Sequence, residues 1–472
     1  MRTTFHLKTL AVAIATLSVA SMTNAAGLDR SGQDVTAFFQ DGTYAEAVYT
    51  YIDADVSGYD SANTNPSQND YVRGDKTGDI AESYDFFRYG VKADINDTFS
   101  IGLLYDEPFG AAAEYTQSNF VSQGDVDASI ASITNGLVPS LAAAEGAIDS
   151  LAPFDGSLPE EQQAQLDSLR GAVAVAQAEA STAGENTNVE VRSQSLTGIL
   201  GMKFGANKNF QIYGGPVAQR TQSETKLRGL AYGPASGYTS NSNPDMDYGY
   251  IAGIAYSKPE IALKAALTYR SEIDHDIQIS ESYPLVAIRA IAAGATPEQA
   301  AAAANRNSKY EITTPKSVNF DFQTGINPTT LATAKVRWVP WSDFIITPPL
   351  YNDTSKISYG PDGLNLVEYK DDQWMVELGL AKRVAPALAI SGTIGWDSGA
   401  GDPTTSLGPV EGYYSVGLGA KYNVTENWAV SAGGKYLWFG DAKGQLPSDK
   451  IVGDFQDNDG YIAGVKLSYQ GK

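Results

Sequence analysis

Apolar and polar positions alternate with a period of two through most of this chain. The clearest stretch runs from Ser317 to Phe344. Val318, Phe320, Phe322 and Thr324 alternate with Ser317, Asn319, Asp321 and Gln323. After Gly325-Ile326-Asn327-Pro328, Ala332, Ala334, Val336 and Trp338 alternate with Thr333, Lys335 and Arg337. A period of two is that of a β-strand with one apolar and one polar face. The Gly/Asn/Pro stretch joins the two strands into a hairpin. One hairpin does not say whether its apolar face meets a core or lipid; repetition of the unit does.

The unit recurs from Tyr44 onward. Phe87, Tyr89, Val91, Ala93 and Ile95 form one face, and Phe99, Ile101, Leu103 and Tyr105 continue it beyond Asn96-Asp97. Further strands are expected over Thr197–Phe204, Phe210–Gln222, Tyr248–Tyr256, Ile261–Tyr269, Trp374–Leu380, Leu388–Trp396, Tyr414–Tyr422, Trp428–Trp438 and Tyr461–Tyr469. The tally is about fourteen, with short turns on one side and long connections on the other, as a transmembrane barrel requires. Trp338, Trp341, Trp374, Trp396 and Trp438 fall toward the long-loop ends and Trp428 beside a short turn. That distribution predicts an aromatic girdle at each interface. The period changes in two places, 124–184 and 283–305, where Ala, Leu, Gln and Glu dominate. Both are expected as helical insertions in the long loops. The first holds two helices, about Val126–Leu151, interrupted near Pro139, and Pro159 onward. A loop is expected from Ile346 to Lys370.

Composition narrows the class. The chain has 472 residues, a formal net charge of −22, 27 Tyr, 46 Gly and no Cys. Arg2 and Lys8 precede an apolar run, Leu10–Val19, and small residues at Thr23-Asn24-Ala25, so residues 1–25 read as an export signal. No later run is long and apolar enough for a helical span. Disulfide stapling is excluded, and the acidity argues against a nucleic-acid partner. The fold class is therefore all-β: a 14-stranded antiparallel transmembrane β-barrel over residues 44–472, in the outer membrane of a Gram-negative cell.

If the apolar face meets lipid, the other face lines the interior. That puts Arg88, Lys92, Lys203, Lys264, Arg270, Lys335, Arg337, Lys421, Lys435 and Lys466 inside, with Asp94, Asp321 and Glu377. Such a lumen either receives a carboxylate headgroup, with Arg88 and Arg270 as candidates, or is neutralised by acids from elsewhere in the chain. Phe38, Phe39 and Phe109 are candidates for an apolar pocket. Pro108 and Gly110, and Gly214, Gly215 and Pro216, break the strand pattern and are candidates for a kink or opening in the wall. The apolar stripes around Ile130–Val175 suit a surface groove or a cap over the barrel mouth. Asp457-Asn458-Asp459-Gly460 lacks the later Glu of a calcium loop. Past the export signal His275 stands alone, with no strained Ser motif beside it, so no catalytic residue, metal or cofactor is expected.

Four segments carry a resemblance: YDEPFGA (Tyr105–Ala111), YRSEIDH (Tyr269–His275), TPKSVNFDFQTGI (Thr314–Ile326) and VRWVPWSDF (Val336–Phe344). The chain resembles the FadL/TodX family of outer-membrane transporters of long-chain fatty acids and aromatic hydrocarbons. The resemblance implies a monomeric fourteen-stranded barrel in contact with outer-membrane lipid and lipopolysaccharide. It implies passive uptake of hydrophobic small molecules, binding in the lumen and lateral exit through a strand kink. It also implies an N-terminal hatch, for which only residues 26–43 are left, with no Asn-Pro-Ala motif. So short a plug makes a less selective polar porin the alternative.

Overall fold

A computed structural model describes residues 28–471. The expected export signal, the first residues of the expected plug and Lys472 lie outside the described residues.

One antiparallel sheet closes on itself. Its eighteen segments make fourteen barrel strands, because four strands are each broken in two. The strands are β1 Tyr44–Asp55, β2 Tyr84–Asp94, β3 Phe99–Asp106 with Gly110–Glu114, β4 Asn188–Phe204 and β5 Phe210–Lys226. Next come β6 Thr239–Ser242 with Asp245–Lys258, β7 Leu263–Arg270 with Ile273–Ser282, and β8 Asn305–Thr314 with Ser317–Asn327. The rest are β9 Thr330–Val339, β10 Gln373–Ala385, β11 Leu388–Asp397, β12 Glu411–Asn423, β13 Trp428–Gly440 and β14 Asp459–Gln470. Closure pairs Tyr44 with Gln470 through to Asp55 with Asp459. Three of the four breaks fall at a proline (Pro108, Pro244 and Pro315), which has no N–H for the ladder.

The period-two pattern acts as read. In β10, Trp374, Leu378 and Leu380 face outward, 48%, 49% and 57% exposed, while Met375 and Ala381 are buried inside. Exposed apolar side chains of this kind circle the barrel from Phe87, Tyr89 and Val91 on β2 to Val465 and Leu467 on β14. A water-soluble fold does not leave so continuous an apolar belt; a bilayer covers it. Trp374, Trp396 and Trp438 sit near the long-loop end and Trp428 at the short-turn end, all exposed. Trp341 departs from the expected girdle. Pro340 ends β9, and the turn Trp341–Asp343 folds inward, burying the indole with its Nε1 donating to Gln373 Oε1 at 2.9 Å.

The long connections build an outer cap. The first insertion holds three helices, Val126–Ile133, Leu141–Leu151 and Glu160–Ala180. The second of them starts where Ser140 caps it by accepting from Ala143 N. The later insertion holds Pro284–Ala292 and Pro297–Ala304. A further helix, Pro349–Tyr359, occupies the stretch expected as loop. Its first N–H groups at Leu350 and Tyr351 donate to the buried Glu281 carboxylate, a charge placed on the positive end of a helix. Five short strands, Gly58–Ser61, Arg73–Lys76, Thr404–Thr405, Ala442–Gln445 and Ile451–Phe455, form a second sheet over the mouth. Under this cap the outer half of the molecule is filled by one apolar cluster that includes Leu28, Phe86, Phe109, Tyr115, Phe120, Trp341, Tyr369 and Phe455.

Candidate functional site

The residues before β1 run inside the barrel, and inward charges hold them there. Arg337 on β9 is fully buried and grips Asp29 with two nitrogens, Nε to Oδ2 at 2.6 Å and Nη2 to Oδ1 at 3.0 Å. The remaining nitrogen, Nη1, donates to Asn319 Oδ1 at 2.8 Å, and Nη2 also reaches Gln33 Oε1 at 3.2 Å. Asn319 in turn donates to Gly32 O, and Ser317 to Gln33 Oε1. Asp34 lies 3.1 Å from Lys335 and 3.5 Å from Arg88. Ser31 donates to Asp106 on β3, and Lys264 on β7 donates to Phe39 O at 2.6 Å. The short segment therefore bonds to opposite sides of the wall. Buried paired charges of this kind lock a position, because removing one partner strands the other.

The inward basic set is largely neutralised. Glu46 on β1 pairs with Arg88 at 3.6 Å and Lys466 at 3.7 Å and accepts from Tyr44 OH at 2.7 Å. Asp94 pairs with Lys92 at 2.7 Å and Lys203 at 3.5 Å. Lys435 is paired with Glu377. Arg270 donates to Thr197 Oγ1 at 3.0 Å. Sequence reading missed Asp29, Asp34, Glu46 and Asp106. The available signal was the two acids, Asp29 and Asp34, in a segment due to meet a basic interior.

Below the plug, at the short-turn end, is a cavity of about 750 Å³. Phe38 and Phe39 form its inner end, and Lys92, Lys203, Lys264 and Asp321 line its sides. Phe38 lies flat over two glycines of the wall: a Cβ on Gly102 or Gly201 would come within 2.6 or 2.8 Å of the ring. Tyr213 packs on Phe39 edge-on, with centroids 5.2 Å apart. Of the expected site residues, Phe38 and Phe39 share this cavity. Arg88 is instead buried against Asp34 of the plug, and Arg270 is buried against Thr197 of the wall. Phe109 lies in the outer apolar cluster, edge-on to Trp341 at 5.6 Å.

The wall is interrupted beside that cluster. The pairing of β2 with β3 covers Tyr89–Asp94 only, whereas Tyr84–Arg88 pair with β1 alone among the described residues. Strand β3 stops at Glu107-Pro108-Phe109, and its outer piece pairs with β4. The plug adds to the broken strand: Arg30 N donates to Pro108 O at 2.8 Å and Gly110 N to Leu28 O at 2.8 Å. A Cβ on Gly110 would meet the Arg30 guanidinium at 2.4 Å, so a larger residue there would displace that side chain. Across the break the Glu107 carboxylate accepts the Phe87 N–H. Outside it, Phe87 and Tyr89 stack at 5.8 Å toward the lipid. The second candidate break differs. Gly214, Gly215 and Pro216 lie within an unbroken β5 and stay paired with β6, while the β4–β5 register skips from Thr197–Val217 to Leu200–Gly214.

His275, beyond the strand expected over Ile261–Tyr269, sits within the outer piece of β7, buried, near Gln219, Asp245 and Asp247. Asp457 and Asn458 form a bend that leads into β14, which starts at Asp459-Gly460; Asn458 accepts from Ser57 N and Asp459 from Tyr436 OH.

The whole architecture is similar to that of a Pseudomonas aeruginosa FadL homologue, with a TM-score of 0.59, 14% identity, and 96% of this chain and 97% of that one covered. It is also similar to the P. putida toluene transporter TodX, with a TM-score of 0.51, 12% identity and 92% of each chain covered. At such identities the likeness is one of fold. No curated protein sequence matches the chain. Residues 176–470 match the family described as outer membrane protein transport protein (OMPP1/FadL/TodX). That match takes in β4 to β14 whole, more than half of the chain, and this barrel belongs to the OMPP1/FadL/TodX family of outer-membrane transport proteins.

Proposed function

We propose that the protein admits hydrophobic small molecules, of the long-chain fatty acid or aromatic hydrocarbon class, by diffusion, and releases them sideways through the break in β3. The supporting observation is the meeting of three features at one place. An apolar cluster fills the outer lumen, a charge-latched plug closes the way below it, and the wall is interrupted at Glu107–Phe109 beside both. Between that cluster and the lipid-facing Phe87–Tyr89 surface stands only the short Glu107–Phe109 interruption, whose Glu107 carboxylate is already hydrogen-bonded to Phe87 N. A route straight down would cross buried ion pairs, at a desolvation cost of several kcal/mol per ion. The barrel acts as a monomer in contact with outer-membrane lipid and lipopolysaccharide, since its sheet has no free edge.

The test compares two solutes in proteoliposomes. A fluorescent long-chain fatty acid should cross faster with the protein than without it, while a sugar of similar mass should not. Sugar swelling together with a steady ion current would favour a polar porin and reject the proposal.

A further inference from the structure

Strands β6 and β7 pair below, through Ile251–Lys258, and above, through Thr239–Ser242, but not between. Across the intervening stretch the backbones make only two hydrogen bonds, Ser271 N to Tyr250 O and Asn243 N to Gln278 O, among the described residues. Pro244, which has no N–H for a ladder, lies in this unpaired stretch. Within this opening Asp245 and Asp247 from β6 meet His275 from β7. Their ligand atoms all lie within 4.8 Å of one another, with His275 Nδ1 3.5 Å from Asp245 Oδ2 and 4.0 Å from Asp247 Oδ2.

The imidazole is fully buried, and its Nδ1 has no hydrogen-bond partner; nor has Asp245 Oδ2. The other ring nitrogen faces Gln219 Oε1 at 3.4 Å, and Thr314 Oγ1 donates to the same oxygen at 2.8 Å. An amide oxygen that accepts from Nε2 leaves the Nδ1 lone pair pointing at two carboxylates. In that tautomer three electron-rich atoms face one point, with only Asp247 Oδ2 accepting a hydrogen bond, from Asp276 N at 3.4 Å, and a positive charge between them would offset their repulsion. Donors bound at about 2.0–2.2 Å in a tetrahedron stand roughly 3.3–3.6 Å apart, so the cluster closes on an ion with small side-chain movements. A buried imidazole among the ligands selects a transition cation over calcium or magnesium. Partial exposure of both aspartates leaves room for water to complete the shell.

We propose that Asp245, Asp247 and His275 bind a divalent transition cation of the zinc class, which staples β6 to β7 where the ladder is missing. Gln219 acts as the positioning residue that holds the ring with Nδ1 inward.

The experiment uses the full mature chain in detergent, stripped with chelator and titrated with zinc chloride by calorimetry. Cobalt(II) absorption and thermal melts are recorded in parallel. One zinc per barrel at micromolar affinity or better is expected, with a visible cobalt band and a melting point raised by several degrees. His275→Gln and Asp247→Asn should each weaken binding tenfold or more, and Gln219→Leu should weaken it less while keeping the cobalt band. His275 is the only histidine outside the expected export signal, so stray imidazole sites do not interfere. Heat-modifiable migration on gels shows that each variant is folded. No stoichiometric zinc binding below about 100 µM would overturn the proposal; it would mean that a proton alone fills the cluster. Wild-type affinity in His275→Gln would overturn it equally. Neither result bears on hydrophobic uptake, which is measured separately.

Discussion

The plug latch can be tested by removing one carboxylate. Asp29→Ala deletes both acceptors that Arg337 grips at 2.6 and 3.0 Å and leaves the guanidinium with Asn319 and Gln33. Breaking a buried ion pair this way costs about 3–5 kcal/mol. Two acceptors remain and water can enter from the cavity below the plug, so about 2–3 kcal/mol is expected at this site. Each 1.4 kcal/mol is a factor of ten, so the ratio of docked to undocked plug should fall roughly 30- to 150-fold. The barrel has its own closed ladder and should stay folded. Arg30 reports the change: buried in the docked plug, it becomes a tryptic site once the segment releases. Cleavage after Arg30, followed by mass spectrometry, should accelerate by that factor, and planar-bilayer recordings should show openings that the parent lacks. Adding Arg337→Met should recover part of the loss, because the stranded charge is gone. Parental cleavage and conductance in Asp29→Ala would refute the latch.

Three further outcomes follow from packing and charge. Gly102→Ala should lower the melting temperature of the parent, because its Cβ meets the Phe38 ring at 2.6 Å, yet be tolerated when Phe38 is also Ala. Equal losses in both backgrounds would contradict that contact. Glu281→Ala leaves Leu350 N, Tyr351 N and Tyr238 OH without their shared acceptor, at roughly 1 kcal/mol per bond. Hydrogen exchange should then speed up over Pro349–Tyr359 and not in the barrel. Leu378→Arg places a charge on the lipid face of β10 and should cost about 2–4 kcal/mol of folding stability in bilayers. Arg at the inward neighbour Gly379 should not follow that lipid-depth dependence.

The barrel was legible because its physics is repetitive. In Gln373–Ala385 or Trp428–Gly440 every second side chain must satisfy lipid, so composition reports orientation directly. The inward position of Arg88, Lys335 and Arg337 followed from the same rule. Their plug partners did not follow, because Asp29 and Asp34 lie in a segment with no periodicity, about 300 residues from Arg337 and Lys335. Trp341 misled because an aromatic after a strand end looks like an interface anchor; only the inward turn after Pro340 distinguishes it. The outer sheet escaped notice since pieces such as Arg73–Lys76 are short and polar and owe their pairing to one another. Helix Pro349–Tyr359 was hidden by its two prolines and its polar face, and Glu281, far away in sequence, supplies its N-terminal acceptor. The gap between β6 and β7 leaves no local mark beyond Pro244.

The most direct measurement concerns the break in β3. Cysteines at Phe87 and Glu107, whose backbone N–H and carboxylate meet across the break, can be joined by a short reducible bifunctional thiol reagent. Bridging should abolish the protein-dependent entry of a fluorescent long-chain fatty acid into proteoliposomes, and reduction should restore it. Entry at the same rate with the bridge in place would show that solutes leave by another path.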